Sequence, residues 1–323
     1  PRRYKKNYKS TFMTFDNKPL ISIIINCFNG SKYLKHTLES ILNQTYTNFE
    51  VIFWDNRSTD NSKEIFNNIR DNRFKYFYAE SHTVLYKARN LAIEKTSGDY
   101  IALIDSDDWW EKAKLEKQIK KFNEDNYALV YTNMNIVFQK ESKFGPAFNY
   151  LISKILSRKY CDSSASEGYI LTNLLYNYQV GLPSIIFKKA FFNGFNSNYQ
   201  IIGDFDYVIR LSIENKIGYI NECLTNYRIH GANESMLKRD IQFDEITNWY
   251  EEMKMNNEMN TLSEFKYFAN KIAYTKAVNL LSFGKYKYAL KIIVKTPISF
   301  WKYKLRLLIL IIFPRIIIKI IRS

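Results

Sequence analysis

Short apolar runs alternate with amphipathic stretches over the first third of the chain. The runs, each about the length of a strand, cover residues 20–25, 49–54, 74–78 and 100–104. The first run, residues 20–25, carries no charge, which is typical of a strand that is buried on both faces. The stretches between the runs carry apolar residues at helical spacing, as in Leu34, Leu38 and Ile41. This alternation predicts an α/β fold with a parallel, Rossmann-like sheet.

The rest of the chain has a less regular rhythm. We predict strands at 128–138 and 184–187, a helix at 206–213, helical pieces at 151–156 and 170–176, and helices from about 243 onward. Four regions follow from this division: a basic leader at 1–18, two halves of a main domain at 19–125 and 126–240, and a basic helical region at 241–323.

Polar turns follow three of the predicted strands. They read NCFNG at 26–30, DNRSTD at 55–60 and DSDD at 105–108. In open parallel sheets, ligands bind beyond the carboxyl ends of the strands. The three turns therefore predict a binding site at that edge of the sheet.

The acidic turn 105–108 places three carboxylates within four residues. Carboxylates this close repel one another, and a divalent cation bridging to a diphosphate would offset that repulsion. Oxygen ligands suit Mg²⁺ or Mn²⁺. The alternative is a solvated turn whose charges favour the positive end of the next helix. Trp109 and Trp110 directly follow the turn, and this position favours a binding site. Their rings would form a surface on which an acceptor sugar stacks. The alternative, equally open for one of the two, is packing in the core.

Charge is distributed unevenly along the chain. The formal net charge is +15, but residues 265–323 contribute +13 and residues 1–18 contribute +5, so that residues 19–264 carry −3. A nucleic-acid enzyme usually carries its positive field on the working surface. We therefore expect no nucleic-acid partner, and an anionic membrane surface as the partner of the basic C-terminal region.

The cysteines and glycines indicate the cellular setting of the protein and exclude some nucleotide-binding folds. The three cysteines, Cys27, Cys161 and Cys223, are widely spaced and odd in number, which favours reduced thiols in a cytoplasmic setting over a disulfide framework. The polar N-terminus predicts no secretory signal. The chain has 10 glycines, and neither a dinucleotide-binding nor a Walker fingerprint occurs.

Residues 21–110 resemble the nucleotide-binding half of a family 2 glycosyltransferase of GT-A fold, of the bacterial surface-polysaccharide type. The matching segments are 22–30 (SIIINCFNG), 38–46 (LESILNQTY), 55–60 (DNRSTD), 88–90 (ARN), 98–101 (GDYI) and 105–110 (DSDDWW). Later segments, GDFD at 203–206 and YRIH at 227–230, extend the likeness to about residue 235. The resemblance implies a metal-dependent, inverting transfer of a sugar from a nucleotide-diphosphate donor, such as a UDP- or dTDP-sugar, to a glycan or lipid-linked acceptor.

The chain departs from the family pattern at four places. Asn26 stands where the family usually has Pro, and Asn56-Arg57 stands where Asp-Gly is usual. Val84 replaces a common Gly. Gly203 occupies the place of the Glu in the family's Glu-Asp pair, which leaves Asp204 without its usual acidic neighbour.

The resemblance assigns Phe28, Asp55 and Arg89 to the donor. Phe28 would stack on the nucleobase and Asp55 would accept its N3–H, while Arg89 would face the donor. The alternatives are core packing for Phe28, a loop or helix cap for Asp55, and a surface ion pair for Arg89.

The resemblance also implies the residues that hold Mn²⁺ or Mg²⁺. Asp107 would be the direct metal ligand, and Asp105 would contact the ribose and the metal. Asp108 would support the site or approach the donor sugar. His230 would ligate the metal or donate to a phosphate oxygen, with Arg228 assisting at the diphosphate; a structural role is the alternative for a lone histidine.

Asp204 matches the family's catalytic base. An inverting transfer needs one general base to deprotonate the acceptor hydroxyl, because the leaving group is already activated. Asp204 could instead cap the helix predicted to begin near Asp206, and Asp206 is the competing base.

The C-terminal segment 302–322 is both basic and apolar. Its longest uncharged stretch covers 307–314, whereas a spanning helix needs about 20 mostly apolar residues. We therefore predict a helix lying on the inner face of the cell membrane, where Lys and Arg contact anionic head groups. The alternative is a helix packed on protein.

Two other functions stay open at this point. One is a catalytically inactive family member that acts as a membrane-bound binding partner, which the Gly203 departure favours. The other is a sugar nucleotidyltransferase, a class that typically carries an early glycine-rich or basic loop that residues 26–30 do not offer.

Overall fold

The computed structural model describes residues 18–139, 158–161, 163–282 and 285–295, and also residues 297, 300, 301, 304, 305, 307 and 308. The predicted helical piece at 151–156, nearly all of the basic leader and the apolar end of the chain after residue 308 lie outside these residues.

Nine strands of the described residues join into one mixed sheet. In chain order they are β1 Ile21–Cys27, β2 Phe49–Asp55, β3 Phe74–Tyr78, β4 Tyr100–Asp105, β5 Trp109–Trp110, β6 Tyr127–Phe138, β7 Arg158–Lys159, β8 Ile186–Lys188 and β9 Lys216–Ile229. Their order across the sheet is β3-β2-β1-β4-β8-β6-β9-β5, and β7 pairs with β6. The first four strands are mutually parallel, β8 runs antiparallel to both of its neighbours, and β9 is parallel to β6.

Helices flank the sheet and make up the C-terminal region. In chain order they are α1 Ser31–Leu42, α2 Ser62–Asn67, α3 Leu85–Glu94, α4 Lys114–Phe122, α5 Leu171–Tyr176, α6 Gly203–Glu214, α7 Glu234–Leu237, α8 Arg239–Met253, α9 Asn257–Thr261, α10 Ser263–Ser282 and α11 Tyr286–Lys295. The predicted α/β architecture with flanking helices and a helical C-terminal extension is confirmed.

The two central strands of the parallel half, β1 and β4, are apolar along most of their length and buried on both faces. Ile23 and Ile25 of β1 are fully buried, in one hydrophobic cluster with Leu34, Leu38 and Ile41 of α1. The apolar stripe of α1 at positions i, i+4 and i+7 thus covers one face of the sheet, as its spacing predicts.

Several elements differ from the sequence-based expectation, and among them are the short strands β5 and β7, which were not predicted. β9 was not predicted because polar residues interrupt its apolar positions; its pairing with β6 along most of its length makes it a strand. The predicted strand at 184–187 is limited to Ile186–Lys188, since Leu182–Ser184 forms a 3₁₀ turn with Pro183 near its start. Helix α6 begins at Gly203 rather than near Asp206.

The chain divides into two compact units. The first comprises Pro1–Leu171 and Gln179–Met236 and contains the sheet; the second comprises Thr172–Tyr178 and Leu237–Ser323 and is helical. In the second unit, Trp249 is fully buried, and its ring centroid lies 5.6 Å from that of Phe268. Within the described residues, no helix combines the length and the apolarity needed to cross a membrane. The division predicted at 125/126 and 240/241 stays a prediction.

Candidate active site

A pocket of about 590 Å³ opens at the carboxyl ends of β1, β4, β6 and β9. Its walls come from the loops after these strands and from the first turn of α1. The lining residues are Phe28, Asn29, Gly30, Lys32, Tyr33, Ser106, Asp107, Gln139, His230, Gly231 and Ala232. The pocket therefore lies at the edge of the sheet where the polar turns predicted a site.

Asp107 and His230 face each other in this pocket. The Nε2 atom of His230 lies 2.8 Å from Oδ2 of Asp107. The imidazole is held from its other side, because the backbone N–H of Ala232 donates to Nδ1 at 3.2 Å. Because Nδ1 accepts this hydrogen bond, the neutral imidazole carries its proton on Nε2 and donates it to Asp107. This geometry brings together two residues that the resemblance assigned separately to the metal.

Asp105 forms an ion pair with Arg89. The guanidinium Nη2 of Arg89 lies 2.6 Å from Oδ1 of Asp105, and Arg89 is almost fully buried. Although burial lowers the pKa of Arg89, the carboxylate of Asp105 raises it on balance. Partial burial raises the pKa of Asp105, and the Asp107 carboxylate adds to that rise against the opposing effect of Arg89. Arg89 thus pairs with a carboxylate of the acidic turn itself, and not with one on the outer surface.

Asp108 is fully buried beneath the turn. Its Oδ1 accepts the backbone N–H of Arg228 at 2.8 Å, while its Oδ2 has no hydrogen-bond partner among the described residues. Burial, with Asp107 and Asp105 nearby, raises the pKa of Asp108 well above its usual range. Of the two roles that the resemblance implied, this geometry fits support of the site, because the carboxylate ties the acidic turn to the end of β9.

Arg228 is held by protein groups on several sides. Its Nε donates to the backbone oxygen of Asp107 at 2.7 Å, and its Nη1 donates to Gln139 at 2.6 Å. The guanidinium carbon lies 4.5 Å from the ring centroids of both Tyr33 and Trp109. An arginine sandwiched and hydrogen-bonded in this way fixes the loop that carries Asp107.

Phe28 and Asp55 lie at the ends of neighbouring strands. Phe28 is 52% exposed, so the alternative interpretation, in which this residue packs in the core, is wrong. Its ring centroid lies 4.4 Å from that of His82. Asp55 is buried; it accepts the backbone N–H of Ser58 at 2.7 Å and the hydroxyl of Tyr76 at 2.6 Å. Asp55 therefore braces the second polar turn, whatever it contacts in a bound donor.

Two departures from the family pattern have different structural consequences. Arg57 has a φ of 76°, in the left-handed region that favours glycine, and it stands where the family usually has Gly. Val84 has a φ of −63° and a ψ of 152°, which any residue adopts without strain. The first substitution strains the backbone and the second does not.

Asp204 lies in the first turn of α6. Ile202 is the N-cap residue, so the alternative role of Asp204 as the helix cap is wrong. Its Oδ1 lies 2.7 Å from the hydroxyl of Tyr86. The competing base, Asp206, is buried and paired with Arg210 at 2.5 Å, which leaves Asp204 as the more accessible carboxylate.

The two tryptophans after the acidic turn have different surroundings. Trp110 is buried, and its indole N–H donates to the backbone oxygen of Pro183 at 2.8 Å. Trp109 is partly exposed, and its ring stacks on His36 with a centroid separation of 4.8 Å. Trp110 is therefore a core residue, and Trp109 is the one left near the site.

The side chains of the pocket determine whether a divalent cation fits there. No group of three or more acidic, histidine or cysteine side chains in the described part of the chain is placed to hold a metal. Mg²⁺ is usually bound through one or two carboxylates together with substrate phosphates. Asp107 supplies a carboxylate at the pocket wall. His230 supplies a second ligand through Nε2 only if the ring proton moves to Nδ1, which breaks the hydrogen bond from Ala232, so the site fits a cation that arrives with a diphosphate.

The protein-family comparison decides the family. The family model described as glycosyl transferase family 2 matches residues 22–186, just over half of the chain, and includes β2, β4, the acidic turn and all of β1 after its first residue. The chain belongs to glycosyl transferase family 2. The family predicted from the sequence motifs is confirmed.

Family 2 members of known name share parts of this chain. A putative teichuronic acid biosynthesis glycosyltransferase, TuaG of Bacillus subtilis, is 36% identical over 124 residues, covering 38% of this chain and 49% of the relative. WfgD of Escherichia coli, a UDP-Glc:α-D-GlcNAc-diphosphoundecaprenol β-1,3-glucosyltransferase, is 29% identical over 204 residues, covering 62% of this chain and 73% of WfgD. The chain spans 30% to 49% of the length of the first curated relatives that it matches.

A solved structure shares the fold. Staphylococcus aureus TarS in complex with UDP-GlcNAc superposes with a TM-score of 0.63 at 18% sequence identity, covering 86% of this chain and 81% of that one. At this identity the similarity concerns the fold alone, and it confirms the GT-A-like architecture that the family resemblance implied.

Sequence reasoning missed several residues that shape the site. Tyr33, Gln139 and Tyr86 were not predicted, although they line the pocket or contact a predicted site residue. Gln139 follows the carboxyl end of β6, so the rule that found the polar turns would have found it as well. No local sequence pattern marks Tyr86 as a site residue, because Asp204, which its hydroxyl contacts, is 118 positions away.

Proposed function

We propose that this chain is an inverting, metal-dependent glycosyltransferase. It moves a sugar from a nucleotide-diphosphate donor, such as a UDP- or dTDP-sugar, to a glycan or lipid-linked acceptor in bacterial surface-polysaccharide synthesis. The observation that carries the proposal is the Asp107–His230 pair in a pocket whose lining includes the exposed Phe28. Membership of family 2 and the names of the relatives TuaG and WfgD support it.

The donor occupies the pocket with its base near β1 and β2. The exposed Phe28 ring stacks on the base, and Asp55 accepts its N3–H, as the resemblance implies. Aromatic stacking is tolerant of base identity, whereas a carboxylate next to N3–H favours uracil or thymine. TarS, which shares the fold, has been solved in complex with a donor of this class, UDP-GlcNAc.

The diphosphate lies between the acidic turn and the loop after β9. Asp107 and His230 would hold a Mn²⁺ or Mg²⁺ ion, and the ion would neutralise charge that develops on the leaving diphosphate. Arg89 offsets the charge of Asp105. Arg228 and Asp108 keep the Asp107 loop in place by the hydrogen bonds that join β9 to the turn.

Asp204 is the general base. The acceptor hydroxyl attacks the anomeric carbon, the bond from that carbon to the diphosphate oxygen breaks, and Asp204 takes the hydroxyl proton. Attack opposite to the leaving group inverts the anomeric centre. One carboxylate is enough for this reaction because the diphosphate leaves without protonation by a second one.

The donor chemistry is tested by release of nucleoside diphosphate from UDP-glucose and UDP-GlcNAc, with water in place of the acceptor hydroxyl. We expect the full chain to release UDP in a Mn²⁺- or Mg²⁺-dependent manner, and Asp107→Ala to lose at least 90% of that rate, an effect on the order of 1.4 kcal/mol or more. The matched control is Asp244→Ala, which removes an exposed carboxylate from α8. Equal metal-dependent release by Asp107→Ala would refute the metal-ligand role, and no release by any variant would favour the inactive family member.

We also propose that the C-terminal region binds the inner face of the cell membrane. Trp301, Leu305 and Leu308 are exposed in the described part of this region, and residues 265–323 carry 13 Lys and Arg without any Asp or Glu. Exposed apolar side chains among basic ones suit an anionic lipid surface. A chain ending at residue 303 should no longer sediment with vesicles that contain phosphatidylglycerol. Equal sedimentation of the shortened and full chains would contradict this proposal.

A further inference from the structure

Tyr86 fills the space next to Gly203. A Cβ atom added at Gly203 would lie 2.6 Å from carbons of the Tyr86 ring, a distance that real side chains do not reach. The Tyr86 side chain is almost fully buried, so its ring has little room to move aside. The two positions therefore depend on each other: glycine at 203 is what allows tyrosine at 86.

The hydroxyl of Tyr86 reaches the segment that leads into α6. It lies 2.7 Å from Oδ1 of Asp204 and 2.8 Å from the backbone oxygen of Ile201. A phenol has one hydrogen to donate, and a carboxylate is the stronger acceptor of the two. Burial, together with the Asp204 carboxylate, raises the pKa of Tyr86 well above its usual range, so the phenol keeps its proton.

Helix α3 links Asp204 to the acidic turn. Tyr86 and Arg89 are three positions apart and therefore share one face of the helix. The guanidinium carbon of Arg89 lies 5.1 Å from the Tyr86 ring centroid, and its Nη2 is paired with Asp105 at 2.6 Å. A continuous set of contacts thus runs from Asp105 through Arg89 and Tyr86 to Asp204.

We propose that Tyr86 is a positioning residue for Asp204 and takes the place of the acidic neighbour that Gly203 has replaced. The hydroxyl fixes the carboxylate orientation, and the buried ring, seated on Gly203, fixes the hydroxyl. This inference rests on the proposed function, in which Asp204 is the general base. It explains how a chain without the Glu-Asp pair retains an oriented base.

The role of the hydroxyl is tested with Tyr86→Phe, which keeps the ring. With UDP-glucose and UDP-GlcNAc as probes, we expect kcat for UDP release to fall about 10- to 100-fold, because a displaced base loses much of its effect. The donor KM should stay within about twofold, since Tyr86 is not expected to touch the donor. A merely structural tyrosine would not produce this separation of kcat from KM. Tyr46→Phe is the matched control, because the Tyr46 hydroxyl donates to the backbone oxygen of Pro19 instead.

Asp204→Asn separates failure of the inference from failure of the proposed function. If Asp204→Asn is inactive and Tyr86→Phe keeps the wild-type kcat, the positioning role is wrong and the base assignment stands. If Asp204→Asn keeps the wild-type kcat, the base assignment is wrong and the positioning role falls with it. Where both single variants are slow, Tyr86→Phe combined with Asp204→Asn should be no slower than Asp204→Asn alone.

The fit between Tyr86 and Gly203 is tested without any donor. Alanine is favoured over glycine in helices, so Gly203→Ala in α6 would ordinarily raise Tm. We expect it to lower Tm in the wild-type chain, because the new methyl group meets the Tyr86 ring, and to raise Tm in a Tyr86→Ala background. A rise in Tm in both backgrounds would overturn the inference. Should Tyr86→Ala fail to fold, a rise in Tm for Gly203→Ala alone would overturn it equally.

Discussion

The Nε2 atom of His230 lies 2.8 Å from Oδ2 of Asp107, although the two residues are 123 positions apart in the chain. Their parent strands, β4 and β9, are separated in the sheet by β8 and β6. The short strand β5 brings the two residues together in spite of this separation. It follows the acidic turn directly and pairs with β9 through Trp109 and Asn226. The turn is thereby carried across the sheet to the loop that holds His230.

Replacement of His230 should reduce the additional stabilisation that Mn²⁺ gives to the UDP-bound protein. At a UDP concentration about 100 times Kd, binding stabilises a protein by about 2.7 kcal/mol, and a 100-fold loss of affinity leaves about 0.4 kcal/mol. We expect His230→Ala to lose most of the stabilisation that Mn²⁺ adds to UDP, as measured by thermal unfolding with and without Mn²⁺. Asp244→Ala should keep it. An unchanged Mn²⁺ effect in His230→Ala would exclude His230 as a ligand.

Replacement of Phe28 should weaken nucleotide binding without destabilising the fold. Stacking of a base on an aromatic ring is worth about 1–3 kcal/mol, which corresponds to roughly a 5- to 150-fold increase in Kd. Phe28 is half-exposed, so Phe28→Ala should unfold like the wild type. The contrasting variant is Phe53→Ala in β2, which removes a fully buried ring and should cost about 3–5 kcal/mol of stability. Calorimetry with UDP that gives equal Kd for Phe28→Ala and the wild type would contradict the stacking role.

Arg228→Lys should destabilise the unliganded protein. Lysine cannot reproduce the planar contacts with Tyr33 and Trp109 or the separate hydrogen bonds to Asp107 and Gln139. We expect a loss of about 1–3 kcal/mol in urea unfolding without nucleotide. The exposed Arg70→Lys serves as control and should change stability by less than about 0.5 kcal/mol. Unchanged stability combined with weaker UDP binding would instead support the diphosphate contact that the family resemblance implied.

Lys114→Met should stabilise the protein, most strongly at neutral pH. The Lys114 amine is fully buried over the Trp110 ring, 4.0 Å from its centroid, and has no hydrogen-bond partner among the described residues. Burial lowers the pKa of Lys114 well below its usual range. Between the lowered value and about 10.4, the unfolded chain binds a proton that the folded chain does not, so stability increases with pH.

The gain from Lys114→Met should therefore be about 1–3 kcal/mol near pH 7 and smaller near pH 10. Urea unfolding at both pH values measures it. Lys120→Met, on the exposed side of the same helix, should change stability by less than about 0.5 kcal/mol at either pH. A gain that does not shrink with pH would show that Lys114 is charged in the folded protein, held by the Trp110 ring.

The parallel half of the fold was predictable because its signals are local. The run around Ile23 has no charged residue, and the stripe of Leu34, Leu38 and Ile41 repeats at helical spacing. Polar turns at the ends of such strands follow directly. β9 escaped prediction because a strand with mixed polarity is defined by its partner β6, and the partner lies about 90 positions earlier.

The sequence by itself determined the family, the strand-and-helix rhythm of residues 21–110 and the identity of the acidic turn, since each depends on residues close together in the chain. Tertiary structure alone decided the surroundings of each carboxylate. Asp108 and Asp107 are adjacent in sequence, yet one is sealed under the turn and the other faces His230. The same holds for Gly203, because the residue that fills the space next to it is Tyr86, 117 positions earlier in the chain. Burial and hydrogen bonding arise from packing between distant segments, and the order of residues along the chain does not state which segments meet.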